Sequence, residues 1–290
     1  MKRKITPKRP KELGHPKSPL LNNKQYEKPS VFTPEGLLRE ARRQRDTLKK
    51  TVPEVCVLDP DGDYVRFMRK TGKVRRNPNW VCYHTDLFEA SSNRRPLGLV
   101  GGAVGASFAV LVAEELFASG CRVLISLTSA GQIASGRQPP YLIAINRALR
   151  DEGTSHHYLA PAPYVWASDV ATALMENAFR GAGISVERGG VWTTDAPFRE
   201  TAEAIAFSKA EGLLAVEMEA AALYAFAEAR KKSVVCLAYV TNQLGTTEKD
   251  FEKGHDLGAR LFQRAVEALV SHWMATQAMA GGSAPKRGTP

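Results

Sequence analysis

Cysteine is scarce. There are four in 290 residues, Cys56, Cys82, Cys121 and Cys236, widely spaced and with no C-x-x-C pair. That pattern excludes a disulfide framework and a cysteine-based zinc site. All four sit in or near apolar stretches and read as buried free thiols in a reducing compartment, so a cytoplasmic location is expected. Histidine is scarce too. The six include one adjacent pair, His156-His157, with no further His or Cys at ligand spacing, so no metal is expected. No apolar run follows the opening lysines, and no signal peptide is expected. The uncharged stretch Pro96 to Ala113 has 18 positions, near the lower length for a membrane span. Gly98, Gly101, Gly102 and Gly105 interrupt it and Glu114-Glu115 close it, so no membrane segment is expected. A full G-x-G-x-x-G is also missing. Gly102-Ala103-Val104-Gly105 is only part of one, and no acid stands at the end of the next strand to hold a ribose. The dinucleotide reading is therefore weak.

The charge that is present lies unevenly. The net charge is +10, yet residues 1–50 hold 15 Lys/Arg against 5 Asp/Glu, while the remaining residues hold 25 of each. The basic pI thus belongs to an N-terminal arm, residues 1–50. Residues 1–30, rich in Lys, Arg, Pro and Asn, are expected to be disordered or loosely attached. Such an arm can contact nucleic acid or an acidic surface, although a solubilising tail or an oligomer-packing arm is the favoured reading. Thr33-Pro34-Glu35 gives an N-cap, a proline at the first helical position and a first-turn acid, so a basic helix is predicted from Pro34 to about Lys49.

The body, 51–275, reads as one α/β domain, and the Gly/Ser/Pro-rich tail, 276–290, as disordered. Strands are predicted at Glu54 to Leu58, Leu97 to Val100, Arg122 to Leu127, Ile184 to Trp192 and Ser233 to Val240. Helices are predicted at about Ser107 to Ser119, Ser168 to Arg180 and Asp256 to Met274, with another through Arg230. Strand, helix and strand between Leu97 and Leu127 make a βαβ unit, so the sheet is at least partly parallel.

The chemistry centres on Val216-Glu217-Met218-Glu219-Ala220-Ala221. An acid pair at a helix start complements the helix dipole. That alone does not explain a methionine between the two acids, and residues two apart on a helix point in different directions. Glu217 and Glu219 should therefore do different jobs, one of which could be to hold a polyol such as ribose. This stretch resembles the signature of the nucleoside phosphorylase superfamily, which includes uridine phosphorylase and the hexameric purine nucleoside phosphorylases. Further matches follow in family order over about residues 53–275: Gly62-Asp63-Tyr64-Val65-Arg66, Gly102 to Ser107, Ser126 to Gly131, Arg150 to Ser155 and Thr193 to Thr201.

The resemblance implies a three-layer α/β/α fold with a mixed, partly parallel central sheet. It implies that Glu219 holds the ribose 2′- and 3′-hydroxyls and that Met218 packs on the sugar, with Glu217 beside them. Gly62, Arg66 and Ser129, with backbone amides, would hold phosphate, and Ala130 and Gly131 would line the substrate site. Phe198 would stack on the base, and Arg199 would donate to it. Asn242 stands where purine enzymes place an Asp that protonates the leaving base; an amide cannot supply that proton. Ser126 replaces an arginine that the family uses for phosphate. No cofactor is implied beyond phosphate as co-substrate, and the assembly would be a dimer or a hexamer. The expected activity is phosphorolysis of a ribonucleoside, with a pyrimidine base favoured, catalysed by Arg66, Arg199 and Glu219. A nucleosidase of the same fold and a nucleoside- or nucleotide-binding protein without turnover are the alternatives.

Overall fold

Among the described residues ten strands form one mixed sheet, and two groups of helices pack against it. The computed structural model describes residues 18–92, 94–244, 256 and 258–281. The strands are β1 (Val55–Asp59), β2 (Arg75–Arg76), β3 (Leu87–Ser92), β4 (Arg95–Gly101), β5 (Val123–Gln132), β6 (Tyr141–Asp151), β7 (Tyr164–Trp166), β8 (Glu187–Thr194), β9 (Leu213–Glu217) and β10 (Ser233–Asn242). Their order is β10-β6-β8-β9-β5-β1-β4-β3-β2, with β7 on β6. β10 also pairs with β5, so β5, β10, β6, β8 and β9 close a ring from which β1 to β4 extend as an open wing.

The central strands are parallel where the sequence is most apolar. β1 pairs in parallel with β4 and β5, and β10 with β5. All five residues of β1 are buried, as are nine of the ten in β10. A strand covered on both faces needs such a continuous apolar run. β9 and β3 run antiparallel to their neighbours β5 and β4, which makes the sheet mixed, as expected.

The helices are α1 (Pro34–Gln44), α2 (Asp63–Lys70), α3 (Ala106–Ala118), α4 (Asp169–Ala182), α5 (Ala202–Ala210), α6 (Ala220–Arg230) and α7 (Ala259–Gly281). α1, α3 and α6 pack side by side, and α2, α4 and α7 do likewise. α6 is buried from Ala220 through Phe226. A helix apolar all round must be enclosed, and α6 lies between α3 and strands β6, β7 and β10. Thr33 caps α1 through its hydroxyl, which accepts from the Gly36 amide at 3.1 Å, and Ser168 caps α4 in the same way. All four cysteines are buried and free. No helix of the described residues is long and apolar enough to cross a membrane.

Several boundaries differ from those expected. α1 stops at Gln44 rather than Lys49, because Asp46 takes a left-handed conformation (φ 48°). The turn expected to carry Arg66 continues into α2: Gly62 turns the chain at φ 73°, and Tyr64, Val65 and Met68 bury one face of the new helix. Leu213–Glu217 forms a strand not among those expected, β9. β5 extends past Leu127 to Gln132, which puts Ser129, Ala130 and Gly131 inside a strand. β6 was not foreseen. α7 continues past Met274 to Gly281, so the tail cannot begin at 276. Part of the arm is attached to the body: Lys24 Nζ lies 2.9 Å from His157 Nδ1, and the Tyr26 hydroxyl donates to the His156 carbonyl at 3.4 Å. Residues 1–17 and 282–290 lie outside the described residues.

Candidate active site

β5 is the axis of the site. Gly131 on β5 stands opposite Val216 of β9 on one side and Asn242 of β10 on the other. That register brings Thr128 to Gly131, Val216 to Glu219 and Asn242 to one place. A Cβ on Gly131 would press on the Leu244 side chain, which would have to shift as the chain leaves β10. The result is a cavity of ≈350 Å³, lined by these residues together with Asp61, Val104, Pro197, Phe198, Glu200 and Leu244.

The two acids of the signature are buried and divided in role. Glu217 Oε2 accepts from the backbone amides of Glu219 and Ala220, both at 2.8 Å, and Oε1 accepts from the Thr193 hydroxyl. It caps α6 from the last residue of β9, and so does the work of an N-cap that Glu219, at that position, does not do with its own side chain. Glu219 points the other way. Its Oε1 accepts from the Gly105 amide at 2.7 Å and its Oε2 from the Thr128 hydroxyl at 2.8 Å. Burial holds the carboxyl groups of both above the usual range, and the neighbouring Glu217 charge adds to the effect on Glu219.

Asp61 is one residue that sequence reasoning missed. Its Oδ2 accepts from the Ser129 amide at 2.8 Å. A carboxylate therefore occupies the amide of a residue expected to hold phosphate. The signal in the sequence is an acid beside Gly62 just after a strand. Thr128 and Glu200 were missed as well. Glu200 is half-buried, and burial raises its pKa. Among the described lining residues there are four carboxylates, Asp61, Glu200, Glu217 and Glu219, and no Lys or Arg.

The expected cations lie elsewhere. Arg66 is on α2, its side chain 58% exposed and paired with Asp63, and it does not line the cavity. It is near, since a Cβ on Gly62 would meet its Nη1 at 2.9 Å. Gly62 is also outside the lining; it and Gly102 both donate to the Asp59 carbonyl, at 2.9 and 3.0 Å, which seats this loop against the end of β4. Ser126 is 1% exposed, within the sheet between Leu58 and Cys236. Phe198 is fully exposed at the cavity rim, while Arg199 is exposed and outside the lining. Asn242 Oδ1 accepts from the Leu244 amide at 3.0 Å, and its Nδ2 donates to Thr241 at 3.1 Å, so it fixes the exit from β10. The structure thus gathers Ser129, Ala130, Gly131, Phe198, Glu217, Met218, Glu219 and Asn242 in one cavity, and leaves Gly62, Arg66 and Arg199 outside its walls.

The model of the phosphorylase superfamily matches residues 54–271. The chain belongs to that superfamily. A relative, the DeoD-type purine nucleoside phosphorylase of Psychromonas ingrahamii, is 25% identical over 169 residues, 56% of this chain and 70% of that protein. Among solved structures, uridine phosphorylase from Vibrio fischeri ES114 superposes with a TM-score of 0.64 at 19% identity, covering 81% of this chain and 99% of its own. The 5′-methylthioadenosine/S-adenosylhomocysteine nucleosidase from Neisseria meningitidis gives 0.61 at 19% identity, covering 77% and 99%. At these identities the structural likenesses speak for the mixed α/β fold, and the superfamily contains both phosphorylases and nucleosidases.

Proposed function

We propose that this protein cleaves the N-glycosidic bond of a ribonucleoside by hydrolysis, releasing free base and ribose. The observation that carries the choice of water over phosphate is the Asp61 carboxylate on the Ser129 amide. A phosphate anion within ~4 Å of that carboxylate would meet a repulsion of about 4 kcal/mol per pair of unit charges at an effective dielectric of 20. Water meets none.

In this reading the Glu219 carboxylate accepts from the ribose hydroxyls, held in place by Gly105 and Thr128. Met218 packs on the sugar and Phe198 stacks on the base. Asp61 takes the proton from water as its oxygen bonds to C1′. The C1′–N bond breaks, its electron pair leaves with the base, the base nitrogen takes a proton from solvent, and Asp61 returns its own proton to solvent. The transition state carries positive charge on the ribosyl ring, and the ionised form of Glu219 stabilises that sign of charge. No cofactor enters the scheme.

Phosphorolysis is the second reading, and the closeness of Arg66 Nη1 to Gly62 favours it. One experiment separates the two: a panel of purine and pyrimidine ribonucleosides, assayed for free base in phosphate and in phosphate-free buffer. Equal turnover in both supports hydrolysis. Turnover that needs phosphate and yields ribose 1-phosphate overturns it. Tight binding without turnover in either buffer favours a binding protein.

A further inference from the structure

The chain after the arm is neutral as a whole but not locally. Residues 66–95 hold eight Lys/Arg, at 66, 69, 70, 73, 75, 76, 94 and 95, against two acids, Asp86 and Glu89. All eight basic side chains are exposed. Arg66 apart, they stand on the open wing of the sheet, far along the strand order from the ring that carries the cavity: the end of α2, the turn after it, β2, and the β3–β4 connection.

Two clefts cut this edge. Arg75 and Arg76 are successive residues of β2, and successive strand residues face opposite ways. Arg75 lines the first cleft, ≈470 Å³, with Lys73, Arg94 and Glu89. Arg76 lines the second, ≈420 Å³, with Arg45, Tyr83 and His84. The second cleft therefore joins the basic helix α1 to the basic edge. Tyr83 is 42% exposed, and the Arg45 guanidinium sits 5.2 Å from its ring centroid. Glu89 pairs with Arg75 and Asp86 with Arg76. Lys70, Lys73, Arg94 and Arg95 form no ion pair among the described residues.

We propose that this edge binds single-stranded nucleic acid, the backbone running past Lys73, Arg94 and Arg95 and a base stacking at Tyr83 and Arg45. The charge is of one sign and in excess over its local acids, which suits a chain of phosphates. Clefts with an exposed aromatic and a stacked arginine suit unpaired bases, whose faces are open. An anionic membrane fits less well, because the apolar Phe88 on this edge is covered by the Arg69 guanidinium, 4.8 Å from its ring centroid.

The test is fluorescence anisotropy of the full chain with labelled ~20-nucleotide oligouridylate and oligothymidylate across a salt series. Wild type should bind with an affinity that falls steeply with salt. The triple variant Lys73→Ala, Arg94→Ala, Arg95→Ala should bind at least tenfold more weakly, with a log–log salt slope shallower by about 2. Tyr83→Ala should weaken binding while leaving the slope unchanged, which separates stacking from charge. Nucleoside cleavage and melting temperature serve as folding controls and should not change in either variant. Wild-type affinity in the triple variant overturns the proposal. So does tighter binding to a duplex of the same length, or binding to phosphatidylserine vesicles with none to oligonucleotides.

Discussion

Exchanging the two signature acids should separate chemistry from architecture. Glu219→Gln keeps the side-chain volume but loses the charge and one acceptor. Charge-assisted hydrogen bonds are worth about 1.5–3 kcal/mol each, so losing one to a ribose hydroxyl should lower kcat/KM roughly 10- to 150-fold. Stability should hold, because burial already disfavours the charged form of Glu219 and the amide removes that cost. Glu217→Ala should do the reverse. It strips the acceptor from the amides of Glu219 and Ala220 and from the Thr193 hydroxyl, all buried. Each stranded donor costs about 1–3 kcal/mol, and the three share one site, so a total of about 3–4 kcal/mol is expected. At roughly 2–4 °C per kcal/mol for a chain of this size, melting should fall by about 10 °C. Steady-state base release and thermal melting of both variants at pH 8 make the comparison. A Glu219→Gln protein that melts as low as Glu217→Ala, or that cleaves at the wild-type rate, would refute the division of roles.

Three further outcomes follow from the geometry. Asp61→Ala should lower phosphate-free base release by about 10²-fold or more, the usual contribution of a general base, and unchanged rates would remove Asp61 from the chemistry. Asp59 is 1% exposed, with one carboxylate oxygen on the Val65 amide at 2.9 Å and the other lacking a partner among the described residues. Burial raises its pKa from 3.8 to about 7, so the folded state prefers the proton; its contribution to stability is complete below pH 3.8 and lost as pH rises through 7. Asp59→Asn should therefore melt above wild type at pH 8, by up to about 4 kcal/mol, with the gap closing toward pH 4; parallel melting curves at all pH values would contradict this. Gly98→Ala places a Cβ 2.7 Å from Cys56 Sγ inside the sheet and should cost about 1–3 kcal/mol in urea unfolding, while adding Cys56→Ala should recover most of it.

The sheet's centre was readable because its parallel strands are buried on both faces and so appear as apolar runs. β6 was not, since its second half alternates burial along Arg147 to Asp151 and carries Arg147 and Arg150, which look like loop residues in a linear reading. Arg150 is in fact buried and satisfied by Ser155, Leu159 and Ala160. The opening of α2 was concealed by Asp61-Gly62-Asp63, which signals a turn; the turn is real, but the helix starts inside it. In the site, Glu219 and its neighbours were legible because one contiguous string holds them. Asp61 was not, because its partner, the Ser129 amide, lies 68 residues away and only the pairing of β1 with β5 brings them together. Arg66 and Arg199 were placed by motif alone. A motif gives a residue's address on the chain but not the direction of its side chain.

The closing of the ring by β10 also governs when the protein can first act. β10 begins at Ser233, and its partner β5 at Val123, so the seam joins segments separated by more than a hundred residues. Pairings of such long range form late, after the loop entropy between them has been overcome. During synthesis, a nascent chain that has emerged from the ribosome only as far as α6 already displays Glu217, Met218 and Glu219, but β5 still has one edge open and Asn242 has not been made. Such a chain can assemble the acids of the site without its far wall. Ligand binding therefore has to wait for the last strand, and a message truncated before Ser233 would yield a protein with the signature intact and an exposed strand edge in place of a binding site.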